Sequence, residues 1–174
     1  MDLHDFDVND LYFETPPDAS VLALIEQASE AYSEGGAEPF LLKAQELAPE
    51  NLMVQVALYR FYYYQHRYAD ALDTAECAIN LSGRLFGYRG HWRQMTLEIL
   101  AHGMMQSFSM VRFYLLALKG SGYLQLRMGE VESGIERLEK VQELDTADRL
   151  NVRMLLEVAY NRMGIYSLSQ RLSA

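Results

Sequence analysis

All four prolines of this 174-residue chain, Pro16, Pro17, Pro39 and Pro49, lie in its first fifty residues. Proline removes a helical N–H donor and clashes with the preceding turn, so its absence beyond Pro49 leaves that stretch open to long helices. Only glycines and polar turns interrupt the apolar residues there, which recur three and four apart. Strand signals are missing: there is no Asn-Gly or Asp-Gly hairpin turn and no sustained period-two alternation. The pattern predicts an all-α chain, with early helices over about 20–32, 38–47, 51–65 and 68–81, the last ending at Ser82-Gly83.

Half the residues are apolar, enough for a real core and too many for a disordered tail. Residues 1–17 differ from the rest. They scatter Asp2, Asp5, Asp7, Asp10 and Glu14 among Phe6, Leu11, Tyr12 and Phe13 and close on Pro16-Pro17, which reads as an acidic-aromatic arm ahead of a folded domain over 18–174. The opening is acidic where a secretory signal is basic and then apolar. No run of about 18 uncharged apolar residues predicts a membrane span. With Cys77 as the single cysteine, a reducing, cytoplasmic setting is expected.

The net charge of −9 is unevenly spread. Residues 1–59 carry twelve acids against Lys43, whereas residues 84–127 carry five arginines and Lys119 against Glu98. Residues 130–148 return to seven acids against Arg137 and Lys140. Overall acidity argues against non-specific nucleic-acid binding. A basic segment inside an acidic chain suits docking to a protein or to the chain's own acidic parts.

Short helices at this rhythm suggest an internal repeat. Aligning the segment at Tyr68 with that at Val131 matches Ala71 with Gly134, Ala75 with Leu138, Ala78 with Val141 and Leu81 with Leu144. Ala37, Leu41, Ala44 and Pro49 fall at the same spacings, and a last copy begins near Asn151. The chain thereby resembles the tetratricopeptide repeat family. The units lie at about 18–51, 52–85, 115–148 and 150–174, with one extra helix at about 88–105 carrying Trp92, Met95, Leu97, Ile99 and Leu100. Residues 52–85 match best, through Tyr62, Tyr68, Ala71, Ala75 and Ala78. The third unit has Gln125 for the family tyrosine and Thr146 for the closing proline. The resemblance implies a right-handed stack of antiparallel helix pairs, each burying its apolar face on its neighbours.

Catalytic chemistry finds little footing. His4, His66, His91 and His102 share no metal-like spacing with one another or with Cys77, so no metal site is expected. Cys77, on the small-residue helix of the second unit, reads as a buried, inert thiol. Lys119-Gly120-Ser121-Gly122 lacks the Gly-Lys-Ser/Thr of a phosphate loop and sits in a helical pattern. Glu130, Glu132, Glu136, Glu139 and Glu143 interleave with Arg137 and Lys140 as a solvated helix face. The nine methionines read as adaptable packing.

The expectation is therefore a non-enzymatic protein without cofactor. In the repeat family the concave groove is lined by the first helix of each pair. The resemblance assigns that lining here to Val56, Arg60, Tyr63 and Tyr64, then Lys119, Tyr123 and Arg127, then Asn151, Val158 and Arg162. Such a basic, aromatic groove suits an acidic or carboxylate-bearing peptide or a helix of a partner. Ala57 stands where the carboxylate-clamping subset of the family has asparagine, which sets this chain apart from that subset. An adaptor or chaperone-like scaffold, capable of self-association, is the leading expectation, and the acidic arm is a candidate to gate the groove. The competing expectation is an RNA-binding or enzyme-associated module using the basic segment 84–127.

Overall fold

A computed structural model describes residues 17–164, and among these every regular element is helical. Eight α-helices follow in order: α1 Ala19–Glu30, α2 Ala37–Leu47, α3 Leu52–Tyr64, α4 Tyr68–Leu85, α5 Leu97–Gln106, α6 Phe108–Met128, α7 Val131–Leu144 and α8 Val152–Arg162. Short 3-10 turns, Ala31–Glu34 and Trp92–Gln94, extend α1 and precede α5.

Local chemistry sets most of these boundaries. Pro39 stands in the first turn of α2, where its missing N–H costs nothing, and Pro49 follows the end of that helix. The Asn51 side chain accepts hydrogen bonds from the Met53 and Val54 amides at 2.9 and 3.4 Å to start α3. Ser107 caps α6 in the same way, accepting from Met110 N at 3.3 Å. Gly129 ends α6 at φ 85°, a conformation that glycine enters without a Cβ penalty. His66 turns the chain between α3 and α4 at φ 58°.

Sequential helices pack as pairs, α1 on α2, α3 on α4, and α6 on α7, with α8 against α7. The two most extensive contacts of α6 are with α4 and α7, so α6 joins the second pair directly to the third and leaves α5 at the side. Close approach at both junctions depends on small residues. Ala71, Ala75 and Ala78 of α4 are buried, with Tyr62 and Tyr59 of α3 also in the core. Gly122 and Gly134 bring α6 and α7 together so tightly that a Cβ on Gly134 would meet the Gly122 carbonyl oxygen at 2.9 Å.

Three expectations about boundaries need correction. Helix α4 runs through Ser82-Gly83 to Leu85. The Ser82 hydroxyl donates to the Ala78 carbonyl at 2.7 Å, and Gly83 gives room for the Tyr88 carbonyl, 3.1 Å from where a Cβ would stand. No helix begins at Tyr88: residues 86–96 form an irregular connection with Gly87 at φ 89°, and α5 starts only after the Thr96 cap. Helix α6 starts at Phe108, seven residues ahead of the expected unit boundary at 115. The expected arm at 1–17 lies outside the described residues except for Pro17, as do the last ten positions of the expected unit at 150–174.

Candidate functional site: an apolar cleft between the first three helices

Val21, Ile25, Ala28 and Tyr32 recur four, three and four residues apart and form one stripe of α1 and its 3-10 extension. Ile25, Ala28 and Tyr32 of that stripe form one wall of an open cleft of about 420 Å³. Ala37 and Leu41 of α2 close its floor, and α3 supplies the opposite wall through Met53, Val56, Ala57, Arg60, Phe61 and Tyr64. A cleft of this volume lies in the range that accommodates a small ligand or a few side chains. Among the described residues its lining is apolar but for Ser29, the tyrosine hydroxyls and the Arg60 guanidinium. Tyr64, 57% exposed, and Tyr32, 40% exposed, stand as amphipathic rings at the rim.

Three residues assigned by the sequence, Val56, Arg60 and Tyr64, meet in this cleft. Three others, Tyr63, Tyr123 and Arg127, gather in a second cluster that bridges α3, α4 and α6. The Arg127 guanidinium donates to the Tyr68 and Tyr123 hydroxyls at 2.6 and 3.1 Å and stands 4.9 Å from the Tyr68 ring centroid. Tyr63 lies 5.9 Å from Tyr68 and 6.4 Å from Tyr123, centroid to centroid. This cluster is a half-buried staple between the second and third helix pairs, with aromatic edges left at its surface.

The remaining assignments fare differently. Lys119 does not line a groove: it is 5% exposed, and its ammonium donates to the Leu150 carbonyl at 2.8 Å, tying α6 to the start of α8. Asn151 sits just before α8 in the left-handed region at φ 53°, while Asp148 accepts from the Val152 amide at 2.8 Å. Val158 and Arg162 lie exposed on α8, and neither lines the cleft. Cys77, expected to be buried, is exposed on α4. Partial desolvation and the neighbouring Asp73 and Glu76 carboxylates push its thiol pKa up, away from the thiolate form.

The basic segment is largely engaged within the chain. Arg84 pairs with Glu50 at 2.8 Å, and Arg93 forms a two-pronged pair with Glu136 at 2.5 and 2.6 Å. Arg127 is held by tyrosines and Lys119 by a backbone carbonyl. A second cleft, about 430 Å³, opens between Met104, Phe108, Val111 and Leu115 on one side and Leu144 and Leu150 on the other. Among the described residues no group of three or more His, Cys, Asp or Glu side chains is placed to hold a metal ion. None of the described helices is long and apolar enough to cross a membrane.

The site residues that sequence reasoning missed are those of α1 and α2. Residues 18–51 lack the glycine and tyrosine of the tetratricopeptide pattern in their first helix, so the expected resemblance assigns their helices no lining role. The stripe Val21, Ile25, Ala28, Tyr32 was the available signal.

A protein of Azotobacter chroococcum mcd 1, described as an uncharacterized 19.8 kDa protein in the nifW 5′ region, is 48% identical over 158 residues. The alignment covers 91% of this chain and 88% of the relative. The chain belongs to that protein's family. Comparison with protein-family models gave no match.

Proposed function

We propose that this chain is a non-enzymatic scaffold of the tetratricopeptide type, which grips an amphipathic peptide or helix of a partner protein in the cleft between α1, α2 and α3. The observation that carries this reading is the cleft itself: an apolar trough of about 420 Å³ with one guanidinium and two exposed tyrosines at its edge. Apolar anchors from the partner would fill the trough, while Arg60 would receive a carboxylate. The alternation of helix pairs, the small residues at α4, and the junction of α6 on α4 support a right-handed stack of the tetratricopeptide kind. On this reading α5 is the insertion after the second pair.

The relative's description places it in the nifW 5′ region. The products of the corresponding neighbourhood in the source organism of this chain are therefore the first partners to test. The full-length protein, the Arg60→Ala/Tyr64→Ala variant and an Ala57→Trp variant that plugs the trough would each be titrated with the purified candidates. Both variants should weaken binding at least about tenfold while helical circular dichroism stays unchanged. Equal affinity for all three proteins would remove the cleft from the binding surface and the proposal with it.

A further inference from the structure

We propose that the first sixteen residues of the chain are the resident occupant of this cleft, docking in cis and competing with any partner for it. The inference concerns how the proposed scaffold site is regulated, but it needs no external partner to hold.

Reach is the first support. Residues 1–16 run directly into α1 through Pro17 and Asp18, and α1 is itself a wall of the cleft. Ile25 and Ala28 lie about 9 and 14 Å along α1 from Ala19, at 1.5 Å per residue. Phe13, four residues ahead of Pro17, can reach back about 13 Å in extended form, and Phe6, eleven ahead, about 36 Å. The apolar residues Phe6, Val8, Leu11 and Phe13 thus span the distance to the trough with chain to spare.

Chemistry is the second. Residues 1–16 contain Asp2, Asp5, Asp7, Asp10 and Glu14 and no lysine or arginine, while among the described residues of the cleft wall the charged group is the Arg60 cation. Apolar side chains for the trough and carboxylates for its rim come from one segment, in alternation. Over residues 10–14 an extended backbone would put Leu11 and Phe13 on one side, toward the trough, and Asp10 and Glu14 on the other, toward its edge; Phe6 and Val8 form a second apolar pair in the opposite register.

Tethering is the third. A short linker gives an effective concentration on the order of a millimolar, so even an intrinsic Kd of about 100 μM would keep the cleft about nine-tenths filled. A competing peptide would then bind about tenfold more weakly to the intact chain than to one whose arm cannot dock.

Two measurements on the full chain test this. In a Cys77→Ser background, Leu11→Cys is paired either with Ala57→Cys in the cleft or with Asp73→Cys, exposed on α4 outside it. Under mild oxidation the first pair should form an intramolecular disulfide at least tenfold faster than the second. Separately, a fluorescein-labelled peptide of residues 1–16 is titrated into the wild-type chain and into a Phe6→Ala/Leu11→Ala/Phe13→Ala chain. The peptide should bind the substituted chain about tenfold more tightly. Equal cross-linking rates, cross-links only between chains, or equal or absent peptide binding would overturn docking in cis. If the cross-link forms while partner affinity ignores Arg60 and Tyr64, the scaffold reading fails and this one stands.

Discussion

At Gly134 the absence of a side chain is a packing requirement. A Cβ there would meet Leu126 Cδ2 at 2.8 Å and the Gly122 carbonyl at 2.9 Å, and the latter is backbone that cannot swing aside. Gly134→Ala therefore gains helix propensity of up to about 1 kcal/mol but incurs overpacking of about 1–3 kcal/mol. The expected outcome is a net loss of about 1–2 kcal/mol in urea unfolding, with a lowered midpoint. A second residue-scale prediction concerns Cys77, whose thiol pKa is raised by desolvation and by Asp73 and Glu76. Less thiolate exists at any given pH near neutrality, so alkylation by iodoacetamide at pH 8 should run slower than for free cysteine and climb as pH rises. Asp73→Asn should speed it; an unchanged rate would contradict the electrostatic part of the effect. Sequence pattern revealed that Gly134 and Ala71 occupy equivalent small positions, because close helix approach leaves a periodic mark. It could not reveal that Lys119 is buried, because the carbonyl that accepts its hydrogen bond, that of Leu150, lies 31 residues away.

Among the elements, the connection between α4 and α5 shows where periodicity misleads. Trp92 and Met95 are both buried, and their spacing of three fits an α-helix as well as the 3-10 turn that carries Trp92. Apolar spacing alone therefore extended α5 backward to about Tyr88, across His91, Met95 and Thr96, whose extended backbone no α-helix continues through. What holds this connection is long-range: Arg137 of α7 donates to Ser121 of α6 at 3.0 Å and pairs with Glu76 of α4, while its guanidinium lies 4.9 Å from the Trp92 ring centroid. Arg137 is buried and its partners sit on two other helices, so Arg137→Ala leaves the part-buried Glu76 carboxylate without its partner, while the Ser121 hydroxyl keeps its bond to the Leu118 carbonyl. A loss of about 1–3 kcal/mol is expected in chemical denaturation, more than for an exposed pair such as Arg67–Glu38. The α3–α4 hairpin, by contrast, was legible nearly residue by residue, because its turn, small-residue stripe and aromatic partners all lie within one local segment.

Over the whole molecule, cohesion is uneven. Helix α6 contacts α4, α5, α7 and α8, whereas α1 packs mainly on α2, and α2 joins the remainder through α3. Amide hydrogen exchange should accordingly show α1 and α2 opening first, with α4, α6 and α7 exchanging last and together. Uniform protection across all eight helices would refute that hierarchy. The all-helical class was legible because helical spacing and the confinement of proline act over the entire chain. The location of the cleft was only half legible: Val56, Arg60 and Tyr64 of α3 were among the expected lining residues, but the other walls come from α1 and α2, where the resemblance is weakest.

The chain carries a single tryptophan, Trp92, buried where α4, α6 and α7 meet and flanked by Arg93 and Arg137 at 4.4 and 4.9 Å from its ring. Indole emission is thus a built-in optical gauge of that central junction, whereas phenol emission averages over twelve tyrosines spread through the fold. Exciting the indole at the red edge of its absorption, alongside helical circular dichroism, would let one unlabelled sample distinguish loss of helix at the N-terminal end from collapse of the centre.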